Sequence, residues 1–164
     1  MHLKSNTDTK FVGIEKLKEK HKSQLDLFES WAASGNWADF HNSHYDWWMF
    51  PYDKSSAYGK SFTIYEAEVC ELKNDAQFIQ NYLRGVELLL LSWGWDLKRQ
   101  CFVENPAEYQ TWANWPIRLY KCGCSLQLFG FDDYFQSVRK YAQILISEGH
   151  NFLYDGKDRS LLFK

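Results

Sequence analysis

The sequence has no apolar run long enough to cross a lipid bilayer. Its longest apolar stretch, from Val86 to Trp95, is interrupted by Glu87, Ser92 and Gly94. A membrane-spanning helix needs about 20 consecutive, mostly apolar residues. No short apolar leader of the secretory kind precedes the part of the chain that is patterned for folding. We therefore expect no membrane span and a cytoplasmic location.

Cysteines are few, and their spacing does not suit a cross-linked or metal-stapled fold. The 164 residues include four cysteines, Cys70, Cys101, Cys122 and Cys124. A chain of this length buries enough surface to fold without disulfides. On a helix, Cys122 and Cys124 would point about 200° apart, so they would not ligate one ion together. We expect reduced thiols.

Neither the charge nor the motifs indicate a familiar activity. The net charge is −2, and Lys and Arg are mostly scattered along the chain, which disfavours a nucleic-acid or membrane-surface binder. The sequence contains no nucleophile elbow, phosphate-binding loop or dinucleotide fingerprint. The lack of these motifs favours a non-enzymatic role, and nothing in the sequence predicts a cofactor.

Aromatic side chains are what the sequence has in excess. Together, 8 Trp, 10 Tyr and 12 Phe make up 18% of the chain. Large rings most often pack inside a core. They also line grooves that bind a partner protein or a flat ligand. The composition alone is compatible with both interpretations.

Apolar residues recur at helical spacing along most of the chain. The first such stripe has intervals of three or four residues, at Ile14, Leu17, His21, Leu25, Phe28 and Ala32. This spacing is typical of an amphipathic helix. The patterns predict an all-α, single-domain bundle of about five to six helices over residues 13–148. A loose N-terminus over 1–12 and a C-terminal tail over 149–164 would flank it.

Local signals predict where several elements begin or turn. Residues 63–66, Thr-Ile-Tyr-Glu, fit a capping box at a helix start. Asn114 is placed to cap a helix that begins with a first-turn proline, and Pro106 predicts another helix start nearby. Asp155-Gly156 lies between apolar stretches, and this dipeptide favours a tight hairpin turn. We therefore expect a short β-hairpin in the C-terminal tail.

The densest aromatic segment lies between residues 41 and 51, and it provides the leading hypothesis for function. With a tryptophan near the start of a later helix, it could build an aromatic surface that receives a segment of another protein. The predicted binding residues are Trp47, Trp48, Phe50, Tyr52 and Trp115. The chain would then be a non-catalytic module for protein binding, assembly or regulation, of undetermined oligomeric state.

Two arginines on otherwise apolar helices form a second group of candidates. Arg84 and Arg118 need an anionic partner if they are buried. Glu66, Glu68, Glu87 or Asp46 could supply it, and the pair would then be structural. Alternatively, Arg118 holds a carboxylate or phosphate of a ligand beside Trp47 and Trp115. The sequence is compatible with either role.

A small-molecule or metal site, with or without catalysis, is the rival hypothesis. It would use His41, His44 and Asp46, which lie close together in the sequence, with Arg118. Imidazole and carboxylate groups bind Zn²⁺ and Fe²⁺. The segment lacks the pair of histidines at i and i+4 with an intervening Glu that is typical of zinc-binding helices. Protein binding is therefore preferred.

The same segment also contains a spaced motif. Its matching residues are Asn42, Tyr45, Trp48, Met49, Phe50 and Pro51. In this it resembles the conserved region of the opioid growth factor receptor family, with a similar order of elements over residues 37–147. The resemblance implies an all-α domain, and the family's name implies peptide binding. The sequence departs from the family pattern at Asp46 and Trp47, and His44 directly precedes Tyr45.

Overall fold

The structure is a computed structural model that describes residues 2–113 and 115–164. Over these residues the chain forms a helical bundle with two short β-hairpins, which confirms the predicted mostly α-helical single domain. The helices are α1 (Ile14–Ser34), α2 (Trp37–Asn42), α3 (Asp46–Met49), α4 (Glu66–Lys73), α5 (Ala76–Ser92), α6 (Pro116–Phe129) and α7 (Asp132–Ser147). The strands are β1 (Trp95–Asp96), β2 (Cys101–Phe102), β3 (Leu153–Tyr154) and β4 (Lys157–Asp158), followed by a 3₁₀ helix at Arg159–Phe163.

Helices α1 and α5 pack against each other and form the centre of the bundle. The predicted stripe of α1 is buried at Leu17, His21, Leu25 and Phe28. On α5, burial extends over a wide face because three successive leucines, Leu88–Leu90, are all inside. Full burial of each such side chain contributes about 1.5–3 kcal/mol relative to exposure. The pairing of these two helices therefore supplies a large part of the core.

Many of the aromatic rings pack inside this core. The Phe28 ring centre lies 4.7 Å from the ring centres of both Phe40 and Tyr45. On another side of the bundle, the Tyr141 ring lies 5.2 Å from Trp95 and 6.2 Å from Trp93. Edge-to-face and offset contacts at these distances are favourable. Core packing thus accounts for much of the high aromatic content.

Helices α6 and α7 pack together, and the C-terminal 3₁₀ helix contacts both of them. The Tyr82 hydroxyl of α5 lies 2.6 Å from Ser125 Oγ on α6. Phe163 is fully buried, and its carbonyl accepts a hydrogen bond of 2.9 Å from Gln143 Nε2 on α7. These bonds join α5 to α6 and the 3₁₀ helix to α7, and β3 of the C-terminal hairpin also contacts α6.

The start of α4 differs from the predicted capping box. The helix begins at Glu66, and Glu68 Oε1 accepts a hydrogen bond of 2.9 Å from the Tyr65 backbone N–H. Thr63 instead donates its hydroxyl to Lys54 O at 3.0 Å. The capping carboxylate therefore comes from a position two residues later than the sequence pattern indicated.

Two other predicted helix signals have different outcomes. Residues 103–113, around Pro106, form turns and irregular structure, so the helix predicted there is wrong. The Pro106 ring lies against the turn after α5, where its Cβ is within 3.9 Å of the position that a Cβ at Gly94 would occupy. The predicted cap Asn114 lies outside the described residues.

The hairpin predicted in the C-terminal tail is confirmed. Strand β3 pairs antiparallel with β4, with Leu153 opposite Asp158 and Tyr154 opposite Lys157. Asp155 and Gly156 have φ angles of 52° and 72°. Positive φ at both central residues is the requirement of a type I′ turn, which Asp-Gly meets at low cost.

The N-terminal residues are attached to the domain although residues 2–13 form no helix or strand. The Ala67 N–H donates to Lys4 O at 2.9 Å. The Asn6 side-chain amide donates to Lys60 O at 2.9 Å and to Thr63 O at 2.8 Å. These bonds fasten the segment that the sequence predicted to be loose onto the chain around the start of α4.

The structure also shows whether the cysteines are paired and whether any described helix could cross a membrane. The four cysteines are unpaired, with Cys122 buried and Cys70 and Cys101 exposed. Within the described part of the chain, every helix is too short or too polar to traverse a bilayer.

Candidate binding cleft

Arg118 on α6 is almost fully buried, with 1% of its side chain exposed. Its guanidinium donates three hydrogen bonds of 2.7 Å, from Nε to Asp46 Oδ1, from Nη1 to Phe40 O and from Nη2 to Ser43 O. The Tyr45 ring centre lies 4.2 Å from Cζ. Each of the three guanidinium nitrogens thus donates to a different acceptor. These bonds join α6 to the chain at α2 and α3. The geometry favours the structural ion pair over direct ligand binding.

In front of this ion pair lies a cleft of about 580 Å³. Its walls come from α3 with the following loop, from the start of α6, and from the C-terminal hairpin. The lining residues used below are His44, Trp47, Tyr52, Trp115, Lys121 and Arg159. We refer to this feature as the cleft. It lies within the size range of ligand sites in proteins, about 300–1,000 Å³.

Lys121 is the most unusual charged residue of the cleft. Only 6% of the residue is exposed. Its Nζ lies 4.9 Å from the Trp47 ring centre and 5.8 Å from that of Tyr52. Burial lowers the pKa of Lys121. It forms no ion pair with any residue of the described ranges. The two rings and the more distant Asp46 carboxylate offset part of the cost of burying its ammonium group.

A second cation of the cleft, Arg159, stands where β4 meets the 3₁₀ helix. Its guanidinium carbon lies 4.8 Å from the Tyr120 ring centre. Its Nε donates to Tyr154 O at 3.4 Å. Within residues 2–113 and 115–164, no carboxylate lies within ion-pair distance of this guanidinium. Its remaining donors are therefore available to a ligand.

Aromatic rings build another part of the cleft lining, and one of them, Trp47, contacts Lys121. The His44 ring lies 6.5 Å from Trp47 and 6.0 Å from Trp115, so it stands between the two tryptophans. The edge of the Trp47 ring meets Tyr58 at 4.8 Å. Trp115 is oriented by a hydrogen bond of 2.9 Å from its Nε1 to His41 O. Trp47 and Trp115 are both partly exposed, so a ligand in the cleft would contact rings as well as charges.

Not all of the predicted binding residues reach the cleft. Phe50 is fully buried in the core and presents no surface. Trp48 faces α1, where its Nε1 donates to Gln24 Oε1 at 3.2 Å and Lys20 Nζ lies 4.1 Å from its ring centre. Arg84 donates to both Glu29 carboxylate oxygens, at 3.0 Å and 2.9 Å, and this exposed pair joins α5 to α1. Tyr52, Trp47, Trp115, Asp46 and Arg118 do line the cleft.

The two histidines considered as metal ligands have different surroundings. His41 Nε2 lies 2.8 Å from Tyr109 O, and burial lowers the pKa of His41. Of the two, His44 lines the cleft and His41 does not. Across the residues the structure describes, no group of three or more His, Cys, Asp or Glu side chains is arranged to hold a metal ion. The proposed set of His41, His44 and Asp46 is therefore not assembled as a ligand group.

Comparison with known proteins does not assign the chain to a family. Neither the models of known families, nor the curated proteins, nor the solved structures contain a match to this chain. The resemblance to the opioid growth factor receptor conserved region stays a prediction.

Sequence reasoning missed the contribution of the C-terminal hairpin to the cleft. Tyr154 and Arg159 line it, although they lie far along the chain from Trp47. Neither residue belongs to a periodic pattern or a recognised motif. The Asp-Gly turn predicted the hairpin itself, but no local signal indicates which surface a hairpin will pack on.

Proposed function

We propose that this protein is a non-catalytic binding module that holds a segment of another protein in the cleft. The observation that carries the proposal is the combination of partly exposed tryptophans with a recessed lysine that lacks an anionic partner. Protein-binding sites are enriched in such aromatic residues and in arginine. The family resemblance of residues 37–147 points in the same direction.

Two of the polar residues considered for chemistry are engaged in hydrogen bonds within the fold. Arg118 is held by three acceptors, and His41 is bonded to the Tyr109 carbonyl. A nucleophile and a general base within hydrogen-bond reach of each other would be the mark of covalent catalysis. In the described residues lining the cleft, no hydrogen bond joins such a pair. This supports binding over catalysis.

Site-specific photocrosslinking tests the proposal most directly. A photoreactive residue at Ser55, which is exposed at the cleft, is expected to yield one discrete crosslinked protein in the native cell. The same residue at Lys140, exposed on α7 and outside the cleft, serves as the matched control. Equal crosslinking from both positions, or none from Ser55, would contradict the proposal.

A second measurement asks whether the cleft itself supplies the affinity. The partner identified from Ser55 is purified and its binding is compared for wild type, Trp47→Ala and Tyr154→Ala. Tyr154 is 39% exposed, so its variant is expected to fold even if loss of the Trp47 ring disturbs the wall. We expect each variant to weaken binding about tenfold or more, as for an aromatic anchor.

The rival hypothesis of a small-molecule site has one observation in its favour, which is the volume of the cleft. At about 580 Å³ it could enclose a free ligand. Native mass spectrometry of the protein purified from its own cell distinguishes the two. A bound mass that Trp47→Ala loses, together with the absence of a crosslinked partner, would favour the small molecule.

A further inference from the structure

We propose that Lys121 and Arg159 form an anion seat, which binds a carboxylate or phosphate group of the peptide segment held in the cleft. This inference rests on the proposed function and specifies its ligand chemistry. The seat is the space in the cleft bordered by the ammonium group of Lys121 and the guanidinium group of Arg159.

The charges that line the cleft are unbalanced. Three cations, Arg118, Lys121 and Arg159, face two acids, Asp46 and Asp155. Asp46 is already bonded to Arg118 at 2.7 Å. Asp155 stands exposed at the hairpin turn and forms no ion pair with the described residues of the cleft. The excess is therefore positive, and it resides on Lys121 and Arg159.

Burial makes Lys121 different from the other lysines that line grooves. Lys18 and Lys22 each pair with an acid, Asp75 and Asp26 respectively. Lys121 has its charge beside two rings. Burial lowers its pKa, the Asp46 carboxylate partly opposes this, and repulsion from Arg118 and Arg159 adds to the lowering. A ligand anion would offset both the desolvation and the repulsion. Such a charge-assisted contact in a partly enclosed site is stronger than one at an open surface.

The neighbouring rings define what else the ligand carries. Trp47 borders Lys121, and His44 and Trp115 continue the same wall. An anion with an attached ring or apolar stem would contact this wall while its oxygens meet the two cations. Ligand sites commonly combine a mainly apolar lining with a few placed polar groups. The seat thus selects an anionic side chain or chain end in an aromatic-rich peptide.

Titration with small probes tests the seat. Benzoate and phenyl phosphate represent the two anions, and benzamide is the neutral match. Binding is measured by NMR shifts of the Lys121 ε-methylene, which also report its pKa. We expect saturable binding of at least one anion, a higher Lys121 pKa in the complex and no binding of benzamide. Comparison of the two anions identifies whether carboxylate or phosphate is preferred.

Charge-removing variants identify the seat. Lys121→Met and Arg159→Gln keep most of the side-chain volume and should each weaken binding of the preferred anion about tenfold. Lys140→Met, at an exposed position of α7, should leave the binding of that anion unchanged. Binding that survives both cleft variants, or equal binding of benzamide, would overturn the anion seat. Tighter binding of a single-stranded oligonucleotide than of an acidic peptide would overturn its assignment to a peptide.

Failure of the seat and failure of the binding module give different results. If neither anion binds but a partner still crosslinks from Ser55, the seat is wrong and the module stands. If an anion binds through Lys121 while no protein crosslinks from Ser55, the cleft holds a small anion and the protein-binding module is wrong.

Discussion

At the residue scale, Arg118 has the largest structural role of the candidate site residues. It is the donor to two backbone carbonyls and a carboxylate that belong to a different part of the chain. A buried ion pair of this kind contributes little net stability compared with apolar packing, but loss of one partner leaves a buried charge unmatched. Its value here is that it fixes the position of α3, and hence of Trp47.

Replacement of Arg118 by methionine should therefore lower the stability of the folded protein. The change leaves the Asp46 carboxylate and the carbonyls of Phe40 and Ser43 without their donor. We expect the free energy of unfolding to fall by about 3–5 kcal/mol, measured by chemical denaturation. The double variant Arg118→Met with Asp46→Asn should recover part of this loss. A loss of less than about 1 kcal/mol would contradict a structural role.

His21 makes stability depend on pH. It is fully buried on α1 and its ring centre lies 5.0 Å from Phe78. Among the described residues, neither ring nitrogen has a hydrogen-bond partner at normal geometry, and the Met49 backbone only partly opposes the effect of burial. Burial lowers its pKa from 6.5 to about 3. The unfolded chain therefore takes up the proton first. Stability is complete above the unfolded pKa of 6.5 and decreases as the pH falls from there towards 3.

His21→Leu should remove this acid sensitivity. At pH 5 the wild type is expected to have lost about 2 kcal/mol of unfolding free energy through His21 alone. The variant should not lose that amount, because leucine does not titrate. The measurement is the difference in unfolding free energy between the two proteins at pH 7 and pH 5. His41 titrates in both proteins and cancels in the comparison. A difference that does not change with pH would contradict the argument.

At the element scale, the predictions that succeeded rest on periodicity or on turn chemistry. The apolar stripe of α1 is visible in the sequence because a helix repeats its buried face every three or four residues. The hairpin of β3 and β4 follows from a dipeptide that tolerates positive φ. Pro106 failed as a helix signal because a fixed φ near −65° suits turns as well as first helical turns. The residues next to a proline do not show whether it lies in a turn or in the first turn of a helix.

The end of α5 provides a test of one tight backbone contact. Gly94 has a φ of +79°, and a Cβ there would lie 2.8 Å from Gln110 O. Gly35, at the end of α1, has a φ of +72° with no atom within 4 Å of that position. We expect Gly35→Ala to cost about 1–2 kcal/mol through backbone strain alone. Gly94→Ala should cost a further 1–3 kcal/mol, roughly, because the backbone oxygen must move.

Thermal and chemical unfolding of both glycine variants measures the difference. Equal losses would show that the loop around Gln110 accommodates the added methyl group without cost. A larger loss for Gly94→Ala would show that the turn after α5 and the Gln110 segment form one packed unit.

At the scale of the whole molecule, the N-terminal segment links distant parts of the chain. Asn6 bonds to the carbonyls of Lys60 and Thr63, next to the loop that supplies Ser55 to the cleft. Asn6→Ala also removes the hydrogen bond that Asn6 Oδ1 accepts from the Asp8 N–H. It should lower the free energy of unfolding by about 1–3 kcal/mol, the usual net value of three hydrogen bonds. Thr9→Ala, exposed and nearby, is the control and should have little effect. Denaturation curves of the two variants would contradict the linkage if they coincide.

The cleft shows why the fold was more predictable than the site. Trp47 and Asp46 lie in a short, dense aromatic segment and Trp115 lies beside a first-turn proline, so the local sequence predicts them as site residues. Arg159 and Tyr154 are ordinary residues that become significant only when the hairpin packs beside α6. The same dense segment predicts Phe50 as a binding residue, yet it is fully buried in the core. Side-chain direction and long-range packing are decided by tertiary contacts.

The three walls of the cleft also impose an order in time. During synthesis the segment with Trp47 leaves the ribosome first, α6 follows, and the hairpin with Arg159 emerges after both. A nascent chain that stops before the hairpin has rings and Lys121 but no third wall. On the proposed function, a partner would meet the complete cleft only after residues 153–159 have been made and folded.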